Sequence, residues 1–280
     1  MKTHTINVLK ASKEKATFNS KKIVNSLIRA GADQETIELI LQKIEEQLYE
    51  GISTKEIHNK AFQLLKKKNR LIASKYKLKK AIYELGPTGF PFERFIAAIL
   101  KNSGYNVKIG EIIQGHCVTH EIDVIAEKDG ETTLIECKFH GTEGRICDIK
   151  VPLYIHSRYQ DIVKHNNSKV KDKKNLTPGW VVTNTRFTED AMAYGKCVNL
   201  YLVSWDYPKG ESLKDRIDQA GLYPITVSTL LTAKEKQFLL SRNIVLCREL
   251  INDNFFLDHL GVSEIRKTRI LKEMQSLCTV

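Results

Sequence analysis

Two short apolar runs carry charged residues at a spacing suited to hydrolysis. Asp123 lies within residues 121–126, and Glu136-x-Lys138 closes residues 134–138. Between them, Asp129-Gly130 reads as the tight turn of a hairpin. Side chains alternate along a strand, so Glu136 and Lys138 share one face and Cys137 takes the other. Two carboxylates on neighbouring strands suit a hard cation such as Mg²⁺ or Mn²⁺, which prefers oxygen ligands. Such a cation polarises a phosphate and acidifies an attacking water, while a lysine orients the water or steadies developing charge. Charged residues alternating with apolar ones more often mark a solvated face. Here Val, Ile and Leu flank both carboxylates, which reads as central strands covered on both sides. A carboxylate there costs on the order of several kcal/mol unless it is paired or metal-bound.

With these residues in place, a resemblance emerges. Asp123 followed by Glu136-x-Lys138 resembles the core of the PD-(D/E)xK nucleases, with Ile122 where that motif has its proline. Upstream, Gly89-Phe90-Pro91-Phe92-Glu93-Arg94-Phe95 and the apolar residues to Leu100, then Gly104-Tyr105-Asn106-Val107, are similar to the opening helix and first strand of Mrr-type restriction endonucleases. The resemblance spans about residues 87–205. It implies that Asp123 and Glu136 hold Mg²⁺ or Mn²⁺, that Glu93 assists from the helix as a third metal ligand, and that Lys138 positions the nucleophile. The substrate implied is a DNA phosphodiester.

The elements that must position these residues follow from pattern. The chain has 280 residues and a formal net charge of +11. Residues 1–86 hold 18 Lys and Arg against 9 Asp and Glu, whereas the remainder is nearly balanced at 26 against 24. A basic balance favours polyanionic partners such as nucleic acid or nucleotides. No apolar run approaches the ~18 residues of a membrane span, and the first residues show no signal-peptide core, so the expectation is a cytoplasmic protein without a membrane partner. The six cysteines have no C-x-x-C spacing and read as reduced thiols. His116, Cys117 and His120 cluster, more often by chance than as a zinc site; His120, beside Glu121, is a candidate to line the active site.

Residues 1–86 read as helical after a short β start. Residues 5–10 and 15–18 alternate as two strands. A helix then begins at Asn19 or Ser20 and ends at Gly31, a second runs over 34–49, and Ser53-Thr54-Lys55-Glu56 caps a third. A fourth covers about 70–85, and Gly86-Pro87 breaks the chain. The segments Val8-Leu9-Lys10, Phe18-Asn19, Lys22-Ile23, residues 49–58 and residues 73–82 resemble the ATP-cone, the regulatory nucleotide-binding domain of ribonucleotide reductases and their repressor. The resemblance implies phosphate contacts from Lys10 and Lys22, Thr54 near the nucleotide, Val8 and Ile23 flanking the base, and ATP or dATP as regulatory ligand. Lys10-Ala11-Ser12-Lys13 stands where that family usually has Lys-Arg-Asp-Gly. The bland alternative is a helical module with solvated lysines.

Downstream of the hairpin, residues 148–163 read as a helix and 164–175 as a basic loop. Strand, helix and strand follow over 180–205, as a right-handed parallel crossover. Residues 229–280 read as short helices around Leu260-Gly261, somewhat like a helix-hairpin-helix unit that grips DNA, or else a packing or oligomerisation element. The expectation is a multidomain α/β protein: a mostly helical ATP-cone (1–86), a restriction-endonuclease-like mixed sheet flanked by helices (87–228) and a small helical region (229–280), forming homo-oligomers. The activity expected is metal-dependent DNA cleavage under nucleotide control. The rival, from another class, is a non-catalytic, nucleotide-responsive DNA-binding regulator on a nuclease-like scaffold.

Overall fold

The computed structural model describes residues 6–169 and 171–279; Thr5, the expected start of the first strand, lies outside them. The chain opens with a hairpin of β1 (Asn7–Leu9) and β2 (Lys15–Thr17), turned at Lys13. Helices α1 (Ser20–Ala30), α2 (Gln34–Glu45) and α3 (Thr54–Lys68) follow. Each starts where local chemistry directs: the side chains of Asn19, Asp33 and Ser53 accept first-turn N–H groups that would otherwise lack partners. α1 stops at Gly31, whose φ of 87° suits glycine. α2 ends short of the expected Tyr49, because the N–H groups of Gln47 and Leu48 turn to the carbonyls of Ile44 and Glu45 instead of continuing the helix. Leu27, Ile37, Ile40, Ile44, Ala61 and Leu65 form the core of this bundle.

The single helix expected over 70–85 is two, α4 (Arg70–Tyr76) and α5 (Leu78–Tyr83), meeting at Lys77. The division separates two cores. α4 places Ala73 and Tyr76 in the bundle, whereas α5 places Leu78, Ala81 and Ile82 in a second core that extends to the end of the described chain.

That second core is built on α6 (Phe90–Asn102) and a mixed sheet of β3 (Asn106–Gln114), β4 (Thr119–Lys128), β5 (Glu131–Lys138), β6 (Asn175–Leu176), β7 (Trp180–Thr183) and β8 (Tyr201–Val203). The order is β3-β4-β5-β7-β8, with β6 also against β5. The first three strands are antiparallel; β5, β7 and β8 are parallel, joined through α7 (Lys150–Ser168) and α8 (Glu189–Cys197). Asp129 and Gly130 both take positive φ, 53° and 79°, as a two-residue hairpin turn requires. α7 continues past the expected residue 163. Buried Asn166 clasps the backbone of Lys174 at 2.8 and 2.9 Å, so the basic loop is shorter than 164–175.

The chain ends with α9 (Leu213–Ala220), α10 (Ala233–Ser241), α11 (Cys247–Asn252), α12 (Phe255–His259) and α13 (Glu264–Cys278). Leu250, Leu257, Ile270, Met274 and Leu277 join the same core as α6 and the sheet. Glu273 of α13 accepts hydrogen bonds from the Ser74 hydroxyl at 3.1 Å and the Thr229 N–H at 2.9 Å, tying α13 to α4. Packing is therefore the visible role of this last region. Among the described residues, no helix is long and apolar enough to cross a membrane.

Candidate functional site

The backbone register brings the expected catalytic residues to one place. β4 and β5 pair from Lys128↔Glu131 down to Val124↔Ile135, and the ladder stops there. Asp123 and Glu136 are the next residues on each strand. In place of a further ladder bond, the Asp123 carboxylate accepts the N–H of Cys137 at 2.6 Å. The local departure from a regular ladder also shows in packing: Ile122 joins Ile125 and Leu134 in one apolar cluster, so strict alternation fails at this end of β4. On β5 alternation holds. Cys137 points into the core, Glu136 meets α7 and Lys138 is exposed. Glu93 enters from the first turn of α6, half-buried, and makes no side-chain hydrogen bond among the described residues.

Electrostatics bind the group. Burial pushes Glu93 up to about 7, with repulsion from Asp123 and then Glu121 adding to it. Burial likewise lifts Glu136 to about 7, aided by Asp123 and opposed by Arg158 and Lys138. Asp123 is raised as well, mainly by burial, against the pull of the Cys137 N–H and Arg158. Carboxyls raised in this way are desolvated and, in part, crowded by neighbouring carboxyls.

Three oxygen donors of this kind fit a divalent cation in chemistry. Their present arrangement does not close around one: among the described residues, no group of three His, Cys, Asp or Glu side chains stands ready to hold an ion. Arg158 stands beside one of the three. Its guanidinium lies 2.8 Å from the Glu136 carboxylate, donates to the Glu121 carbonyl and stacks over Tyr154. A fixed cation thus occupies one carboxylate that a metal would need. Sequence reasoning missed Arg158, because nothing in the spacing of a lone arginine within α7 ties it to strands more than twenty residues earlier. It also missed Glu121, although the residue lies two positions before Asp123. His120 does not line this group; its ring contacts Asp161 of α7 at 2.8 Å, and Asp161 is held well below the usual carboxylate range, first by that bond.

The expected nucleotide residues divide differently. The Leu9 N–H donates to the Ile52 carbonyl at 3.0 Å, and Leu9 bridges to Ser53, so the residues that follow, Lys10 and Thr54, stand side by side. Both line a cavity of about 520 Å³ together with His58 and Asn59 of α3. Val8 and Ile23, expected to flank a base, are buried in the bundle core at 6% and 9% exposure and have little surface to offer. Lys22 is exposed on α1 and is not part of the cavity wall. His58 stacks on Tyr76 with ring centroids 4.4 Å apart, and burial lowers it to about 4, so it is neutral at pH 7.

Comparison with known proteins matches these regions one by one. Residues 6–84 match the ATP cone domain, residues 87–207 the restriction endonuclease domain, and residues 223–278 the AF1548-like C-terminal domain. An uncharacterized protein of Archaeoglobus fulgidus is 34% identical over 183 residues, which are 65% of this chain and 99% of the relative. The chain belongs to the AF1548-like family. The crystal structure of the protein of unknown function AF1548 is similar at 31% identity and a TM-score of 0.55, over 68% of this chain and 98% of that one. A remote likeness to the MspJI restriction endonuclease in complex with a 27-mer oligonucleotide has a TM-score of 0.33 at 12% identity, over 62% of this chain and 36% of the other, too low to bear on fold. This AF1548-like chain joins an ATP cone to a restriction-endonuclease-like domain. Glu93, Asp123, Glu136 and Lys138 fall within the second match, and Lys10, Lys22 and Thr54 within the first.

Proposed function

We propose that this protein is a metal-dependent DNA endonuclease that hydrolyses phosphodiester bonds, and that ATP or dATP at its cone regulates it. The observation that carries this reading is the meeting of Glu93, Asp123 and Glu136 where the β4–β5 ladder ends, each raised in pKa mainly by burial. Mg²⁺ or Mn²⁺, when bound, would polarise the scissile phosphate and lower the pKa of a water. Asp123 and Glu136 would hold it, and Glu93 would assist from α6. Lys138, exposed at the end of β5, would orient the attacking water and steady charge developing on the phosphate. Arg158, 2.8 Å from the Glu136 carboxylate, would compete with that cation for Glu136.

A second reading has one observation in its favour. The Arg158–Glu136 ion pair supplies a permanent cation, as a nuclease-like fold kept for nucleotide-responsive DNA binding would. Plasmid cleavage separates the two. Wild type should nick DNA with Mg²⁺ or Mn²⁺ and stop in EDTA, and Asp123→Ala or Lys138→Ala should lower the rate at least ~100-fold. Metal-independent cleavage, or an Asp123→Ala variant that cuts at the wild-type rate, would remove this site from the chemistry. DNA binding without cleavage in any metal would favour the regulator.

A further inference from the structure

The cavity beside Lys10 and Thr54 is not walled by the cone alone. Its opposite side comes from the nuclease domain: Glu143, Gly144, Arg145 and Ile146 of the segment after β5, and Thr185 and Arg186 after β7. α5, which belongs to the cone match but packs into the nuclease core, adds Lys79, Lys80 and Tyr83. The approach of the two domains is close. Gly144 has φ 85°, and a Cβ there would stand 2.8 Å from the Ala11 carbonyl oxygen. Only glycine suits both demands.

Charge in this space is one-sided. Lys10, Lys55, Lys79, Lys80, Arg145 and Arg186 face two carboxylates, Glu14 and Glu143. Glu14 already pairs with Lys10 at 3.2 Å, and Asp206 lies 2.8 Å from Arg186. Arg145 is exposed and makes no side-chain hydrogen bond or ion pair among the described residues. Burial and then the Arg186 charge depress Lys79. A cavity of this volume with surplus cations fits an anionic ligand of small-molecule size.

The two arginines are also mechanically joined. The Cys147 N–H donates to the Arg186 carbonyl at 2.8 Å, which lays the two segments side by side. The same segment begins next to Lys138. Asn184 holds both the N–H and the carbonyl of His140, at 2.9 and 2.8 Å, and the Thr183 hydroxyl donates to the Lys138 carbonyl at 2.7 Å.

We propose that the polyphosphate of the nucleotide is gripped from both sides of this interface, by Lys10 of the cone and by Arg145 and Arg186 of the nuclease domain. The nucleotide then clamps the two domains and fixes the segment that leads from Lys138 to Arg145. This rests on the reading of the cone as an adenine-nucleotide site and adds the half of the site that the cone does not supply. Charge-assisted contacts to phosphate are the strong kind, and an arginine that grips two oxygens adds direction to charge.

The test uses the full chain, with ATP and AMP as ligands. Calorimetry should find that Arg145→Ala and Arg186→Ala each weaken ATP about tenfold, while AMP, with a single phosphate, shifts less than about twofold. Hydrogen exchange of amides 141–147 should slow when ATP is added to wild type, and not in Arg145→Ala. Exposure and lack of partners make Arg145→Ala neutral for folding, so that variant decides the matter if Arg186→Ala proves unstable. Wild-type ATP affinity in Arg145→Ala, with binding lost in Lys10→Ala, would overturn the clamp and leave the cone site standing. No ATP binding by wild type would overturn the cone reading and the clamp together.

Discussion

Two regions of this molecule carry opposite imbalances of charge. At the end of the β4–β5 hairpin, Glu93, Asp123 and Glu136 crowd together with Glu121 nearby, and burial with mutual repulsion lifts their proton affinity. At the interface of cone and nuclease domain, six lysines and arginines face two carboxylates. The first region calls for a cation and the second for an anion. They also differ in how far each has met its need from within. The acidic region has Arg158 as an internal counter-ion on Glu136, and among the described residues no metal-ready cluster stands there. The basic region uses Asp206 and Glu14 on Arg186 and Lys10 and leaves Arg145 without a partner among the described residues. A group with an internal counter-ion must exchange it for its ligand, whereas one without, such as Arg145, can bind directly. This predicts metal competition at Glu136 and direct engagement of an anion by Arg145.

Removing the internal counter-ion should give the largest effect. Arg158→Ala leaves a mostly buried Glu136 unpaired and should cost roughly 2–4 kcal/mol in metal-free protein at pH 8. Mn²⁺ should restore much of that loss, and should bind the variant more tightly than wild type. Urea denaturation with and without Mn²⁺ measures both. A variant as stable as wild type without metal would mean that the pair contributes nothing and that the asymmetry between the regions is only apparent.

A smaller effect should appear in the pH dependence. Glu136 and Glu93 sit at about 7 in the fold against an ordinary 4.5, so folding favours their protonated forms. The corresponding stability is fully present below about pH 4.5 and is lost as pH rises through about 7. Roughly 2–3 kcal/mol is expected from Glu136, and less from half-exposed Glu93 because solvent screens it. Glu136→Gln should flatten this loss. The basic region should show the opposite sign: Lys79 is depressed, so its contribution improves as pH rises toward the ordinary lysine value. Chemical denaturation across pH 5 to 9, in EDTA, reads the acidic side. A stability that rises through neutral pH in wild type but not in Glu136→Gln would reverse the expected sign and remove the crowding of carboxyls as its cause.

The smallest expected effect concerns Lys22. It lies outside the cavity, so Lys22→Ala should change ATP affinity less than about twofold, whereas Lys10→Ala should weaken it about tenfold. Equal losses in the two variants would move the phosphate site off the interface and onto α1.

Much of the architecture was legible in the residues. Side-chain caps at Asn19 and Ser53, the glycine stop at Gly31 and the Asp129-Gly130 turn act over a few residues, so local sequence locates them. The placing of Asp123 and Glu136 on adjacent strands was legible for the same reason: a two-residue turn leaves one register for the strands it joins. The break at Lys77 was not, because the apolar pattern of α4 and α5 is continuous and only the presence of two separate cores divides it. Nor was the fate of Val8 and Ile23, whose side chains serve equally well in a core or at a ligand until packing chooses.

The sequence by itself determined the strand-borne carboxylates, the lysine beside them and the hairpin and helices that precede them, since each rests on short-range periodicity and turn chemistry, while the cone was legible through its resemblance to a known family. Only the tertiary structure decided that Arg158 reaches Glu136 from a helix twenty-two residues later, and that Arg145 and Arg186 stand across a cavity from Lys10. Such contacts depend on how α7 and the segments after β5 and β7 are laid over the sheet. Long-range charge pairing leaves no periodic trace in a chain, because a charged side chain is compatible with any exposed position until a partner is brought to it.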